Sequence, residues 1–516
     1  MLKKNIVRKI SFIILSLLIL SCQNEEEIDL SNINLNSVSF LKVNNPSLET
    51  DIKLAFDNDD TFSGFAKYGS SINSLIATYE FEGSSVYING EKQTNSVSKN
   101  DFTKTRLVTI MDEGNNGKDY FIRLKYHTGL PIVYLNTFNQ EVLSKENYIL
   151  GEISVYGGLD YMDIEKTSIQ IRGRGNSTWM GGGVQKKPYQ IKFSDKQEVL
   201  GMPDDRRWIL LAEHYDRSMI RNKLTFEIGQ VSNFEYSPQG KYVEVFVNNK
   251  PQGTYVIAQK VEESKNRLDL GDNGYLIEMD QRYRVYEDDV YFEPPIFRQR
   301  AEKFSWLDTI FNIKEPANIE YNSESYSLIE NFVNEFESVL FGNNFKDPEK
   351  GYRSYIDIDS FIDWYLINEI GKSVDAYGYA SVFFSYVPGE KIKMGPIWDF
   401  DLSYGNADYS ATAFYAEGNH INQHPWFERL LEDDFFRQKV VERYTHYYDK
   451  RDEFLALIDK FSDQINRSQV LNYELYQNLG EEMWNNRSAV FQTHAEEVEY
   501  LKSWLFDRIN WMNGNL

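Results

Sequence analysis

The stretch that decides the fold of this chain spans residues 395–406 and reads Gly-Pro-Ile-Trp-Asp-Phe-Asp-Leu-Ser-Tyr-Gly-Asn. It completes a strand-like run, residues 391–398, and ends in glycine and asparagine, which favour turns. Residues two apart in an extended chain point to the same face. Asp399 and Asp401 are therefore predicted to converge on one hard cation, such as Mg²⁺, which takes oxygen ligands. A polar turn after a strand explains the same residues equally well.

The order of elements around this stretch predicts an α+β fold. Period-two patterns dominate before about residue 320 and are interrupted by one helix, about residues 218–229. After residue 320 the pattern is mainly helical, with helices predicted at residues 326–341, 359–370 and 426–454 and one hairpin at residues 381–397. A β-rich half followed by a helix-rich half holding a hairpin is typical of a two-lobed protein-kinase-like fold, with a nucleotide between the lobes.

Short strands and turns also fill the region before this domain. Residues 37–128 predict a small immunoglobulin-like β-sandwich, with no catalytic cluster, serving as a spacer or a binding module. The main domain is predicted at residues 129–460. Residues 461–516 are predicted as C-terminal helices that pack on the larger lobe.

The N-terminus carries the pattern of an export signal. A basic stretch and a short apolar run, residues 1–21, predict a signal peptide. The one cysteine, Cys22, follows directly, and Leu20-Ser21-Cys22 resembles the lipobox of bacterial lipoproteins, which implies lipidation at Cys22. The acidic tether at residues 22–36 resembles the export tag of surface lipoproteins in Bacteroidetes-type bacteria. We therefore expect a membrane-anchored lipoprotein on the surface of the outer membrane.

The composition limits the classes of partner. Lys and Arg number 55 and Asp and Glu 78, a formal net charge of -23. Such a field repels nucleic acid, so we expect no nucleic-acid partner. The 35 Tyr and 33 Phe predict a well-packed globular protein and also suit surfaces that face carbohydrate.

The residues offer the parts of a phosphoryl-transfer site in the usual kinase order. Such a site needs a cation near the phosphates, a strand Lys held by a Glu, metal-binding carboxylates and an Asp that accepts the hydroxyl proton. The glycine-rich segment at residues 172–183 could approach phosphates, and it contains Arg172 and Arg174, which could equally pair with acidic side chains elsewhere. The remaining candidates are Lys187 or Lys192, Glu227, Asp375, and Asp399 with Asp401.

Glu227 has two interpretations. Ile220, Leu224 and Glu227 share one helical face by their spacing, so the carboxylate points partly toward the core. A buried Glu227 needs a cationic partner, for which Lys187 and Lys192 are the natural candidates. A solvated carboxylate near the end of the helix explains the same position.

Several runs in order resemble the spore-coat CotH kinase family over nearly 300 residues: RGRGNSTW at 172–179, KKPYQIKF at 186–193, LGMP at 200–203, WILLA at 208–212, YDRSMIRNKL at 215–224, GTYV at 253–256 and WDFD at 398–401. The resemblance implies an atypical protein kinase that transfers the γ-phosphate of ATP to Ser or Thr of a protein, with Mg²⁺ or Mn²⁺. By position, Asp375 matches the family's catalytic Asp and Asp399 its metal ligand.

Three positions depart from a protein-kinase pattern. Ala380 stands where a kinase has a metal-binding Asn, five residues after its catalytic Asp. Gln259 stands where an acidic residue is expected, and Ser373-Val374 replaces the His-Arg that usually precedes the catalytic Asp. They motivate an alternative: a pseudokinase with weak or no activity that binds a glycan or an envelope protein at the cell surface.

Overall fold

The computed structural model describes residues 32–48, 50–56, 60–67, 70–141, 143–158, 160–180, 184–483 and 486–516. The chain forms two compact units and passes from the first to the second after Gly129. The predicted signal peptide, Cys22 and most of the acidic tether lie outside the described residues. Within the described ranges, no helix is both long and apolar enough to cross a bilayer.

The first unit is β-rich, as the sequence predicts. Its sheets have the strand orders β2-β1-β6, β3-β4-β11-β10-β7-β8 and β5-β9. Alternating side chains such as Val38, Ile110 and Ile122 are fully buried in one core. The immunoglobulin-like topology stays a prediction. The strands are β1 Asn34–Phe40, β2 Ile52–Lys53, β3 Ala55–Phe56, β4 Thr61–Lys67, β5 Leu75–Ile76, β6 Thr78–Glu82, β7 Ser85–Ile88, β8 Glu91–Lys92, β9 Lys99–Asn100, β10 Arg106–Met111 and β11 Gly117–His127.

The second unit begins with a closed barrel of seven strands. Their order is β12-β13-β14-β15-β16-β18-β17, and the parallel pairing of β17 with β12 closes it. Side chains such as Ile153, Ile171 and Ile191 alternate into its interior. The strands are β12 Ile132–Thr137, β13 Ile149–Tyr156, β14 Ile164–Gly173, β15 Tyr189–Val199, β16 Met202–Leu211, β17 Gly240–Val247 and β18 Lys250–Gln259.

An antiparallel sheet of five strands follows, in the order β20-β21-β19-β22-β23. It contains the hairpin predicted near residues 381–397, but the second strand of that hairpin is much shorter than predicted. The strands are β19 Tyr275–Gln281, β20 Tyr291–Phe292, β21 Thr309–Glu315, β22 Val382–Tyr386 and β23 Lys393–Met394.

The helices pack against both the barrel and the five-stranded sheet. They are α1 Ser177–Met180, α2 Arg221–Gln230, α3 Pro295–Ala301, α4 Glu324–Leu340, α5 Ile358–Gly371, α6 Ala411–Phe414, α7 Pro425–Leu430, α8 Asp434–Asp449, α9 Arg451–Ile465, α10 Ser468–Tyr476 and α11 His494–Met512. In α4, Ile329, Val333, Phe336 and Leu340 form one fully buried stripe. Helix α5 is buried along almost its whole length and contacts α2, α8 and α11.

Two helix boundaries differ from the prediction. Helix α2 begins at Arg221 rather than near residue 218, because Met219 has a φ of 57°, which is not helical. The carboxylate of Asp216 accepts the backbone N–H groups of Ile220 and Arg221 at 2.9 and 2.7 Å, which satisfies the free end of the helix. The single helix predicted at residues 426–454 is divided, with Asp433 capping α8.

Candidate functional site

A cleft of about 1620 Å³ lies between the barrel and the five-stranded sheet. Strands β14, β15 and β16 supply one wall, and strands β19, β21 and β22 supply residues of the other. The loops at residues 374–381 and 398–402 complete it. The cleft brings together five of the seven predicted phosphate, metal and catalytic residues: Arg172, Lys192, Asp375, Asp399 and Asp401.

Basic side chains line the barrel wall of the cleft. Arg172 stacks over the ring of Tyr148 at 4.6 Å, and its buried Nε has no hydrogen-bond partner among the described residues. Arg174 lies over the ring of Trp398 at 5.4 Å. Burial lowers the pKa of Arg174, while the charges of Asp399 and Glu278 raise it. These guanidinium groups, with Lys192, leave donors available to an anionic ligand.

Part of the glycine-rich segment lines the same wall. Gly175 has a φ of 84°, and a Cβ there would lie 2.2 Å from Oγ1 of Thr178, so only glycine fits. Lys145 donates a hydrogen bond of 2.6 Å to Oδ1 of Asn176 and holds the segment from its other side. The segment therefore approaches the cleft closely enough for backbone contact with a ligand.

The carboxylates of Asp375, Asp399 and Asp401 also line the cleft. Burial first, and then the charge of Asp399, raises the pKa of Asp375 to about 7, while Arg284 opposes the shift. Burial and the charge of Asp399 also raise the pKa of Asp401 well above its ordinary value. Asp399 itself is exposed, and its Oδ2 accepts a hydrogen bond of 3.3 Å from Ser381. These acids therefore act on one another electrostatically across a small space.

The geometric reason given for Asp399 and Asp401 is wrong, although both residues line the cleft. Asp399 has a φ of 70° and is not extended, so strand alternation does not place the pair. Phe400 instead turns into the core, where it is 1% exposed. Its burial between the two acids leaves both at the cleft surface. A non-glycine residue in this left-handed region is strained, a feature that clusters at functional sites.

Of the two interpretations of Glu227, the pairing with Lys187 or Lys192 is wrong. Glu227 forms an ion pair with Lys223, one turn earlier in α2. Lys187 donates to the backbone carbonyl of Trp179 at 2.7 Å. Neither Glu227 nor Lys187 lines the cleft in the described part of the chain. Asn222 of the same helix does face it, and Glu227 lies five residues later, roughly 140° around the helix axis.

Sequence reasoning missed two buried charged residues beside the cleft. Burial lowers the pKa of Lys186 to about 7, and Glu213 opposes that shift. Burial, followed by the charge of Asp216, raises the pKa of Glu213 to about 8. Glu213 lines the cleft and has a φ of 51°. Its strained backbone and its position before a helix start could not be inferred from residue spacing.

The cleft carboxylates have the donor chemistry of a divalent-cation site. The described residues contain no group of three or more His, Cys, Asp or Glu side chains already arranged as metal ligands. Asp375, Asp399 and Asp401 nevertheless bring carboxylate oxygens to the same part of the cleft. Oxygen donors of this kind fit Mg²⁺ or Mn²⁺, with Asp399 and Asp401 as the residues that would hold it.

The fold and the cleft define a class: an α+β protein whose barrel and sheet enclose a site lined by basic and acidic side chains. The family model described as CotH kinase protein matches residues 169–512. The chain belongs to the CotH kinase family, which confirms the resemblance seen in its motifs. Membership implies, in general terms, a kinase-type requirement for ATP and a divalent metal. The match extends through α11, so the C-terminal helices are part of the family domain.

Other comparisons add little. No curated protein sequence matches the chain. A crystal structure provisionally described as a glycoside hydrolase from Bacteroides thetaiotaomicron has a TM-score of 0.18 and 12% sequence identity to this chain, covering 51% of this chain and 74% of that one. A similarity this weak supports no conclusion about fold or activity.

Proposed function

We propose that this protein is an atypical protein kinase with a two-lobed, kinase-like arrangement. It transfers the γ-phosphate of ATP to Ser or Thr of a protein, with Mg²⁺ or Mn²⁺. The observation that carries the proposal is the placement of Arg172, Lys192, Asp375 and Asp399 around one cleft. Family membership supports the same reading.

The chemistry follows from the basic and the acidic side chains that line the cleft. Arg172 and Lys192 bind the phosphate oxygens and orient the nucleotide. The acceptor hydroxyl oxygen attacks the γ-phosphorus, and the bond to the β–γ bridging oxygen breaks, with its electron pair leaving on ADP. Asp375 takes the proton of the acceptor hydroxyl, a task for which a pKa near neutrality is suited. Asp399 and Asp401 would hold a divalent cation, which would compensate the phosphate charge when bound.

Transfer of radiolabel from γ-labelled ATP tests this function. Wild-type protein with Mg²⁺ or Mn²⁺ is expected to label a casein-like substrate or itself. The variant Asp399→Asn should lose most of this labelling, while Asp452→Asn, at a side chain that is 78% exposed on α9, should label as the wild type does. Equal labelling by Asp399→Asn and wild type would remove Asp399 from the mechanism.

A binding role without catalysis is the second candidate. Ala380 is buried and offers no side-chain ligand for a second metal. Gln259 is also buried, and its Oε1 accepts the backbone N–H of Gln239 at 3.0 Å, so it serves the barrel rather than a ligand. Thermal-shift titration separates the two candidates. Stabilisation by ATP only with metal supports the kinase, whereas glycan-array binding without a nucleotide response supports the binding module.

We further propose that Cys22 anchors the protein by lipid to the outer membrane, with the described units facing outward. The lipobox-like sequence before Cys22 and the acidic residues after it support this location. Metabolic labelling with a fatty acid should mark wild-type protein but not Cys22→Ser. Protease treatment of intact cells should remove a surface-exposed protein and spare one that faces the periplasm.

A further inference from the structure

We propose that Asn406 is a positioning residue for the loop that carries Asp399 and Asp401, and that the C-terminal segment at residues 486–508 holds it in place. The inference rests on the proposed metal-binding role of that loop. It assigns a function to a segment that has no catalytic motif and whose helices the sequence predicts only as packing elements.

Asn406 is fully buried and uses the hydrogen-bonding capacity of its amide. Its Nδ2 donates to the backbone carbonyl oxygens of Asp401 at 2.7 Å and Tyr215 at 2.9 Å. Its Oδ1 accepts from Nη1 of Arg487 at 2.6 Å. Because a guanidinium only donates, this contact fixes which way the amide faces. The amide therefore connects the carboxylate loop to the segment before α2 in one orientation.

Arg487 is in turn held by the last helix. It is buried, its Nη2 pairs with the buried carboxylate of Glu497 in α11, and its guanidinium carbon lies 4.2 Å from the centre of the Tyr500 ring. The backbone N–H of Arg487 also donates to the carbonyl of Asn406 at 2.7 Å. Buried ion pairs contribute little net stability, and the best-attested reason to keep one is to specify a single arrangement.

Other groups of the C-terminal segment bind the chain just after the carboxylates. The Tyr500 hydroxyl donates to the carbonyl of Gly405 at 2.9 Å. Ser488 donates from its backbone N–H to Asp408 at 2.6 Å. The indole of Trp504 donates to the carbonyl of Phe414 at 2.7 Å. Residues 405–414 are thus anchored by residues about eighty to one hundred positions later in the chain.

This anchoring bears on ligand geometry because Asn406 bonds the backbone of Asp401 itself. Metal ligands must lie within about 0.2 Å of their preferred distances, so a small loop displacement weakens metal binding. A loop with no regular secondary structure has no ladder of its own to fix it. Asn406 and Arg487 therefore supply hydrogen bonds that help to fix the position of Asp401.

The substitution Asn406→Asp tests the inference with little change in size. The new carboxylate still accepts from Arg487 but cannot donate to Asp401 or Tyr215. We expect the Mn²⁺ concentration for half-maximal ATP binding, measured by calorimetry, to rise about tenfold, while metal-free ATP binding changes less than about twofold. Lys502→Met is the matched control. It removes an exposed ion pair between α11 and Asp459. It should leave the Mn²⁺ requirement and the metal-free ATP affinity unchanged.

An unchanged Mn²⁺ requirement in folded Asn406→Asp protein would overturn the inference. If Asn406→Asp does not fold, Tyr500→Phe is the second test, because it removes only the hydrogen bond to Gly405. It should raise the Mn²⁺ requirement about threefold. An unchanged requirement in Tyr500→Phe would also overturn the inference. If wild-type protein binds no metal-bound ATP, the proposed function fails on its own account. Hydrogen exchange of residues 399–406 then decides, because faster exchange in Asn406→Asp supports the anchoring and equal exchange refutes it.

Discussion

The Oδ1 atom of Asn222 accepts a hydrogen bond of 2.7 Å from the backbone N–H of Phe400. This bond joins helix α2 to the middle of the carboxylate loop. The Nδ2 atom of Asn222 donates to both carboxylate oxygens of Glu213, at 3.3 and 3.1 Å. The buried amide of Asn222 therefore links Glu213 to the loop that carries Asp399 and Asp401.

Replacement of Asn222 by alanine should destabilise the protein. It leaves the buried N–H of Phe400 and the carboxyl of Glu213 without this partner, and an unsatisfied buried group costs about 1–3 kcal/mol. Urea unfolding followed by tryptophan fluorescence measures the free energy of unfolding. Ser338→Ala, at an exposed helix position, should change it by less than about 0.5 kcal/mol. A stability of Asn222→Ala equal to that of the control would contradict the assigned role.

Asp375→Asn should stabilise the metal-free protein at pH 8 but not at pH 4. The pKa of Asp375 is raised from 3.8 to about 7 in the folded protein, so folding favours the neutral form. Stability from this group is fully present below pH 4 and is lost as the pH rises to about 7. Asparagine mimics the neutral acid and avoids that loss, by about 1–2 kcal/mol after allowance for solvent screening. Melting temperatures at the two pH values measure the effect.

A divalent cation should make the wild type more stable than Asp375→Asn at pH 8. Bound Mg²⁺ or Mn²⁺ compensates the carboxylate charges, so it should raise the melting temperature of the wild type more than that of Asp375→Asn. In the labelling assay the variant should lose about 10²–10⁴-fold in rate, the range typical of a lost proton acceptor.

The stability prediction has its own refutation. If Asp375→Asn stabilises the protein as much at pH 4 as at pH 8, the raised pKa of Asp375 is not the cause of the gain.

Lys192→Met and Glu227→Gln should affect nucleotide binding very differently. Lys192 lines the cleft, and loss of a charged hydrogen bond to phosphate should weaken ATP binding about tenfold or more. Glu227 pairs with Lys223 away from the cleft, so its substitution should change the affinity less than about twofold. Calorimetric titration with ATP and Mg²⁺ compares them. A tenfold loss of ATP affinity in Glu227→Gln would instead support a pairing of Glu227 with Lys187 or Lys192.

Lys186 and Glu213 should prove energetically coupled. The charge of each buried group favours the charged form of the other, so removal of one partner changes the environment of the second. The double variant Lys186→Met/Glu213→Gln should therefore lose less free energy of unfolding than the sum of the losses of the two single variants. A double-mutant cycle in urea is expected to give a coupling of about 0.5–3 kcal/mol. Additive effects within about 0.3 kcal/mol would mean that the pair does not interact.

Sequence patterns located most of the elements that build the site. Period-two patterns indicated the strand-rich part before about residue 320, and the helical pattern predicted a helix at residues 326–341, close to α4, because these signals are local. The start of α2 was misplaced because the left-handed conformation of Met219 depends on packing that no residue pattern reports. The partner of Glu227 was misassigned for a related reason, since a helical face does not reveal what lies opposite it.

The sequence by itself determined the family, the order of β-rich and helical parts, and five of the acids and cations that line the cleft. Those properties reside in motifs, periodicity and composition, which are all local to the chain. Only the tertiary structure decided that Lys186 lies close enough to Glu213 for their charges to interact. It also decided that Arg487 binds Asn406, 81 positions earlier in the sequence. Such pairings depend on how distant segments pack, and the same local pattern is compatible with many of them.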